Sequence, residues 1–352
     1  MKKWLCIGAA VWIACAGVMS GCKTMETDAP KAEEQETKVP QIGLSFDSFV
    51  IERWIRDRDV FVSTMKALGG EVNVQNANGD VQEQISQIDY FIEKNMDVIV
   101  VVAGDCEALT GVMRKAKEAG IKTLTYDRMI KNAGADLHIS FDNEMVGRLM
   151  AESLVENIPE GGDIFLIQGP VTDDNVALIR KGIDGVLDGS NLRVAYEANC
   201  EGWLAENAYT YVKKGLKRTR NVKGIICGND DLASQVFRGL SEERLAGKVV
   251  LTGQDGDLVA CQRIMAGTQE MTAFKSMEEE ARIAAEYAYR LAMGEGISDV
   301  TKTVDDGTYD VPYLELKPVP VTKENMDEVI ISGGFHAKED VYLNVSQEEK
   351  RE

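Results

Sequence analysis

The chain predicts an α/β fold of two doubly wound parallel-sheet lobes. Three observations lead there. Short apolar runs alternate with amphipathic helical stretches from residue 42 to residue 293. The alternation falls into two series, the second starting at DIFLIQG (163–169). Some runs, such as DVIVVVA (97–103), are continuously apolar, as strands buried on both faces are. Repeated strand–helix–strand units imply parallel sheets with right-handed crossovers.

The elements follow in order. IGLSF (42–46) reads as a strand and 49–68 as a helix; EVNVQ (71–75) and a helix over 81–94 come next. The strand at 97–103 leads to a helix at 107–119, then to strands KTLTYD (122–127) and LHISF (137–141). In the second series, 163–169 is followed by a helix at 174–187, strand LRVAYEA (192–198) and a helix at 204–218. VKGIICG (222–228), a helix at 231–240, KVVLTGQ (248–254), EMTAFK (270–275) and an Ala/Glu-rich helix at 277–293 complete it.

In open α/β sheets a ligand sits beyond the carboxyl ends of the strands. Those ends carry Asp47, Gly104-Asp105, Asp127-Arg128, Gly169-Pro170, Asn229-Asp230 and Gln254-Asp255. With Arg53-Trp54, Asn175, Trp203 and Lys275 they make a set of planar hydrogen-bonding groups and flat rings spread over more than two hundred positions. They can meet only if two lobes face one another across a cleft. That chemistry suits a neutral sugar, whose apolar faces stack on rings and whose rim donates and accepts hydrogen bonds. Covering one such face contributes about 1.5–3 kcal/mol per ring. The plainer alternatives are that Trp54, flanked by Ile51 and Ile55, fills the core, and that Asp127-Arg128 is a surface ion pair.

Catalytic readings are weaker. Only His138 and His336 are present, and His138 lies inside a strand. GxSxG, GxGxxG and GxxxxGK[ST] motifs are absent. A glycosidase using Asp127 and Asp255 needs one carboxyl with a raised pKa, and the neighbouring Arg128 opposes that for Asp127. DDGTYD (305–310) lacks calcium-loop spacing and reads as an exposed loop. No metal site and no cofactor are expected.

The N-terminus carries an address. Lys2 and Lys3, an apolar stretch from Trp4 to Met19, then Ser20-Gly21-Cys22 have the plan of a secretory signal. A cysteine directly after small residues marks a bacterial lipoprotein, with Cys22 as the lipidated residue; a plain signal or an uncleaved anchor is the alternative. Residues 1–21 are therefore a signal peptide and 22–40, charged and aperiodic, a flexible tether. The whole chain carries −19, and loss of residues 1–21 removes two lysines and no acid, leaving −21. That field repels nucleic acid and polyanionic ligands. Of the seven cysteines, Cys106, Cys200, Cys227 and Cys261 belong to the folded body; without CxxC or zinc spacing, buried free thiols are expected.

Taken together, these strings resemble the type I periplasmic sugar-binding proteins, and within them the D-xylose-binding proteins of ABC transporters. The resemblance is carried by IERWIRDRDVF (51–61), TYDRMI (125–130), ISFDNEMVG (139–147), DNVALIRKG (174–182), EGWLAENA (201–208), GNDDLA (228–233), GQDGDLV (253–259), AGTQEMTAFK (266–275) and GGFH (333–336). It implies that Arg53, Trp54, Asp127, Arg128, Asn175, Trp203, Asn229, Asp255 and Lys275 bind the ligand. It also implies three crossings between lobes, near 142–144, 273–276 and 308–316. The first lobe is then 41–142 plus 275–310 and the second 143–274 plus 311–345. The implied partners are a monosaccharide, D-xylose first, an ABC permease, and the membrane through a lipid anchor. The implied protein is an extracytoplasmic monomer. AGDCEAL (103–109) and the longer PVTDDN (170–175) depart from the xylose pattern, which leaves glucose, ribose or arabinose as alternatives. A sensor feeding a membrane kinase is a further one.

Overall fold

The structure is a computed structural model in which residues 38–343 are described; the expected signal, Cys22 and most of the expected tether lie outside them. The first series comprises β1 (Gln41–Phe46), α1 (Arg53–Ala67), β2 (Glu71–Asn76), α2 (Val81–Glu93), β3 (Val98–Val102), α3 (Thr110–Glu118), β4 (Lys122–Tyr126) and β5 (Leu137–Phe141). The second runs through α4 (Asn143–Asn157), β6 (Gly162–Gln168), α5 (Asp174–Leu187), β7 (Leu192–Asn199), α6 (Ala205–Arg218), β8 (Val222–Cys227), α7 (Asp230–Glu242), β9 (Val250–Gln254), α8 (Leu258–Met265) and β10 (Met271–Phe274). Then come α9 (Met277–Ala292), β11 (Thr303–Asp305), β12 (Asp310–Leu316), β13 (Val319–Val321) and α10 (Lys338–Val341).

Two sheets result. The first has strand order β11-β12-β5-β4-β3-β1-β2 and the second β13-β10-β9-β8-β6-β7. Pairing is parallel throughout except at the two edges, where β11–β12 and β10–β13 are antiparallel. The central strand β3, VIVVV, is buried at every position. Its even-numbered residues Val98, Val100 and Val102 face one core with Trp54, Phe61 and the alanines of α9. Ile99 and Val101 face the other, with Phe91 of α2 and Met113 of α3. The second lobe repeats the plan: Phe165 and Ile167 face α6 and α7, while Ile164 and Leu166 face α4 and α5. Covering both faces is what lets such apolar strands exist in water.

The chain passes between sheets after β5, after β10 and after β12. The third passage corrects the expected boundary. Residues 311–316, expected in the second lobe, pair in parallel with β5 in the first sheet, Tyr313 opposite His138 and Leu316 opposite Phe141. The reason is burial: Val311, Tyr313 and Leu316 need a covered sheet face, and the edge of β5 supplies one. The tether also ends earlier than residue 40. Lys38 binds Asp97 at 2.6 Å and donates to Ala292 O at 2.8 Å, and Pro40 O accepts from Glu71 N.

α4, α8 and β11–β13 have no counterpart in the sequence reading. In α4 the obstacle is Gly147, which reads as a breaker. A Cβ there would lie 1.9 Å from Ile179 O, and one at Gly182 of α5 would lie 2.0 Å from Glu144 O. Both glycines exist to let α4 and α5 touch backbone to backbone. The expected exposed loop at 305–310 is the β11–β12 turn, exposed at every position except Asp306, which is buried. Its Oδ1 accepts from Thr308 N and Tyr309 N, and its Oδ2 accepts from Gly134 N at 2.7 Å.

Candidate functional site

The sheets present their carboxyl ends to a common cavity. All nine residues expected to bind a ligand line it: Arg53, Trp54, Asp127, Arg128, Asn175, Trp203, Asn229, Asp255 and Lys275. None is more than 6% exposed. Ile51, Asp173 and Gln254 line it too. A larger groove, about 1310 Å³ and open to solvent, runs between α1 and the Phe335–His336 segment, but of its polar residues only Arg53 is buried.

Each group is fixed by a local device. Asp127 and Arg128 follow β4 directly. The Asp127 backbone is left-handed, with φ 59, and Asn175 Nδ2 donates to its Oδ1 at 2.9 Å. Asn175 Oδ1 accepts in turn from Asn143 Nδ2 at 2.9 Å, so Asn143, just past the first passage, is tied to the cavity. Arg128 is held across the lobes: Nη1 donates to Asp47 Oδ2 at 2.7 Å, and Nε lies 2.9 Å from Asp173 Oδ2 of the second lobe. Arg53, at the start of α1, meets Asp57 through two parallel contacts of 3.2 and 3.0 Å, Glu280 at 2.6 Å and Asp127 at 3.2 Å. Such forked pairing fixes the plane of a guanidinium.

The two indoles differ. Trp54 packs against Phe46 and Tyr126 in the first-lobe core, with the Arg53 guanidinium 4.4 Å from its centroid. It belongs to the core and the cavity wall at once. Trp203 ends a short 3₁₀ turn in a left-handed conformation, φ 58, and its Nε1 donates to Asp173 Oδ2 at 3.1 Å. Its ring lies over Gly169, where a Cβ would come within 2.2 Å of Cζ2.

Asn229 and Asp255 come from the ends of β8 and β9. Asn229 Oδ1 caps α7 by accepting from Leu232 N at 2.9 Å. Its neighbour Asp230 has a different task. It accepts from Gly256 N, Asp257 N, Thr272 and Gln269, which locks the turn after Asp255. Asp255 itself has φ 99. Lys275 Nζ, on the second passage, lies 3.3 Å from Asp255 Oδ1 and 3.6 Å from Asp127 Oδ2.

The cavity charges oppose and hold one another. Burial alone would raise the Asp127 carboxyl, but Lys275, Arg53 and Arg128 outweigh it and bring it down to about 2. Lys275 has its pKa raised: burial works against its charge, and Asp127 and Asp255 more than offset that. Asp173 is pushed up by burial against the pull of Arg128. His138, behind the site, is pushed down to about 4 by burial and stacks on Tyr313. Cys106, Cys200, Cys227 and Cys261 are free and buried. Among the described residues no group of His, Cys, Asp and Glu could hold a metal ion, and no helix is long and apolar enough to cross a membrane.

Asp173 and Gln254 escaped the sequence reading of the site. Gln254 was visible as the residue preceding Asp255 at a strand end. Asp173 lies two positions before Asn175, in the stretch whose extra length obscured its register.

Two doubly wound lobes closing over a buried, charge-balanced cavity define a ligand-binding clamp. A periplasmic binding protein domain matches residues 42–296, and the chain belongs to that family. It is 41% identical to the D-xylose-binding periplasmic protein of Haemophilus influenzae, over 86% of this chain and 92% of that one. It is 40% identical to the protein of the same name from Escherichia coli, over 86% and 93%. Among solved structures, an ABC transporter solute-binding protein from Clostridium phytofermentans with bound β-D-glucose superposes with TM-score 0.78 at 26% identity, covering 86% of this chain and 99% of that one.

Proposed function

We propose that this protein is an extracytoplasmic receptor that closes its two lobes on a monosaccharide, D-xylose in the first place, and delivers it to an ABC transporter. One observation carries the reading. Four cavity-lining side chains keep buried polar atoms with no hydrogen-bond partner among the described residues: Trp54 Nε1, Asn229 Nδ2, Gln254 Oε1 and Asp255 Oδ1. Asp255 Oδ1 is within ion-pair distance of Lys275, yet makes no well-directed hydrogen bond. An unmet buried group costs about 1–3 kcal/mol. Two donors and two acceptors of this kind, in a site balanced by three cations and their carboxylates, match hydroxyls that donate and accept. The relatives named for D-xylose support pentose as the class.

The nine lining residues are the ligand contacts in this reading. Because all are buried, the sugar reaches them only when the lobes part, by bending at the three passages. Binding then shifts the population toward the closed form, the form a permease recognises. Asp127, held ionised by three cations, is unsuited to act as a general acid, so the site binds and does not hydrolyse. The protein works as a monomer without cofactor. Cys22 carries the lipid that keeps it at the membrane.

The test is a melting-temperature screen against pentoses and hexoses, followed by calorimetry. D-xylose is expected to raise stability most. Trp203→Ala and Asp127→Ala should each weaken binding tenfold or more, roughly 1.4 kcal/mol upward. Unchanged affinity in both would remove the assigned site.

A further inference from the structure

We infer that Gln254 is a further specificity-determining residue, which together with Asn229 reads one hydroxyl of the ligand as both donor and acceptor. The inference rests on the monosaccharide reading above. Gln254 is the last residue of β9, lines the cavity and is 3% exposed. Its amide has only one sensible orientation. Nε2 donates to Gly228 O at 2.5 Å, and turning the amide over would set oxygen against oxygen. The atom left over is Oε1, an acceptor, which is buried and has no partner among the described residues.

Asn229 is fixed in the complementary sense. Its Oδ1 accepts from Leu232 N at the start of α7, and an amide nitrogen could not do so. The atom left over there is Nδ2, a donor, also buried and without a partner. The two amides stand at the ends of the neighbouring strands β8 and β9, joined through the Gly228 carbonyl that Gln254 holds. One wall of the cavity therefore offers one donor and one acceptor whose orientations the fold dictates. A hydroxyl satisfies both. A carboxylate would leave Gln254 unmet, and an ammonium would leave Asn229 unmet. The rival partner inside the fold is Gln168 on β6, next to β8, whose amide also lacks partners but does not line the cavity.

The experiment is calorimetry on the wild-type chain and on Gln254→Met, with D-xylose and its monodeoxy and monodeoxyfluoro analogues. Gln254→Met is expected to weaken D-xylose tenfold or more. For one deoxy position the variant should lose nothing beyond what the wild type already loses. The wild type alone gives a second reading should the variant not fold. Fluorine can accept from Asn229 Nδ2 but cannot donate to Gln254 Oε1, so the fluoro analogue at that position should recover only part of what the deoxy one loses. Unchanged D-xylose affinity in the variant, an equal loss for every analogue, or full retention of all fluoro analogues by the wild type would overturn the role of Gln254 and leave the sugar site standing. Failure of the wild type to bind any of these sugars would overturn both.

Discussion

Asp127, Trp203 and Asp255 share a backbone property that L-residues avoid: φ values of 59, 58 and 99. Each such residue costs on the order of 1–3 kcal/mol and persists only where its surroundings enforce it. Here the enforcers are the Asn175 and Asp230 hydrogen bonds and the indole seat over Gly169. Gly169→Ala should push the indole out of the wall and weaken D-xylose binding tenfold or more while the circular dichroism spectrum is kept. The charge state of Asp127 gives a second expectation. Its folded pKa of about 2 lies below the ordinary 3.8, so its contribution is complete above about pH 4 and lost as pH falls toward 2. The size is about 2 kcal/mol. Urea melts of wild type and Asp127→Asn should therefore differ most above pH 4 and converge toward pH 2; a gap that stays constant would refute the assignment.

At the scale of elements, the sequence was clearest where periodicity had one cause. β5 and α5 start and stop where their hydrophobic pattern does. The site residues were legible because strand ends are where an α/β sheet exposes backbone and helix N-termini together. Legibility failed where a residue served two masters. Gly147 looks like a breaker because its value lies in a contact with α5, a helix distant in sequence. β12 was misplaced because a strand's lobe is decided by its partner, here β5, and a local pattern cannot name a partner. Asp173 works through other side chains, Arg128 and Trp203, so no local string marks it. The β11–β12 turn provides a control. Asp306→Ala strands three backbone donors and should cost about 2–4 kcal/mol of stability. The affinity for D-xylose, measured by calorimetry, should stay as in the wild type, because none of these groups lines the cavity.

The whole molecule is two lobes strapped together at three places and pinned across the cleft by polar groups. Asn175 on Asp127, Arg128 with Asp173, Lys131 with Asp174 at 3.0 Å, Cys106 N on Thr172 O and Thr172 Oγ1 on Gly104 O span it on one side. Arg56 donating to Phe335 O spans it on the other. A ligand that touches both halves adds to the closing free energy. Small-angle scattering should accordingly show the radius of gyration falling when D-xylose is added to the wild type, with a smaller fall for Trp203→Ala. An identical radius with and without sugar would count against a moving clamp.

Lys38 is fastened to Asp97 and to the end of α9, both in the first lobe, whereas Val341 is buried with the second-lobe cluster around Met326 and Ile330. The two ends of the folded body thus ride on different halves. A donor dye at residue 38 and an acceptor dye at residue 343 would convert sugar concentration into a colour ratio, making the chain an optical gauge without any inserted reporter.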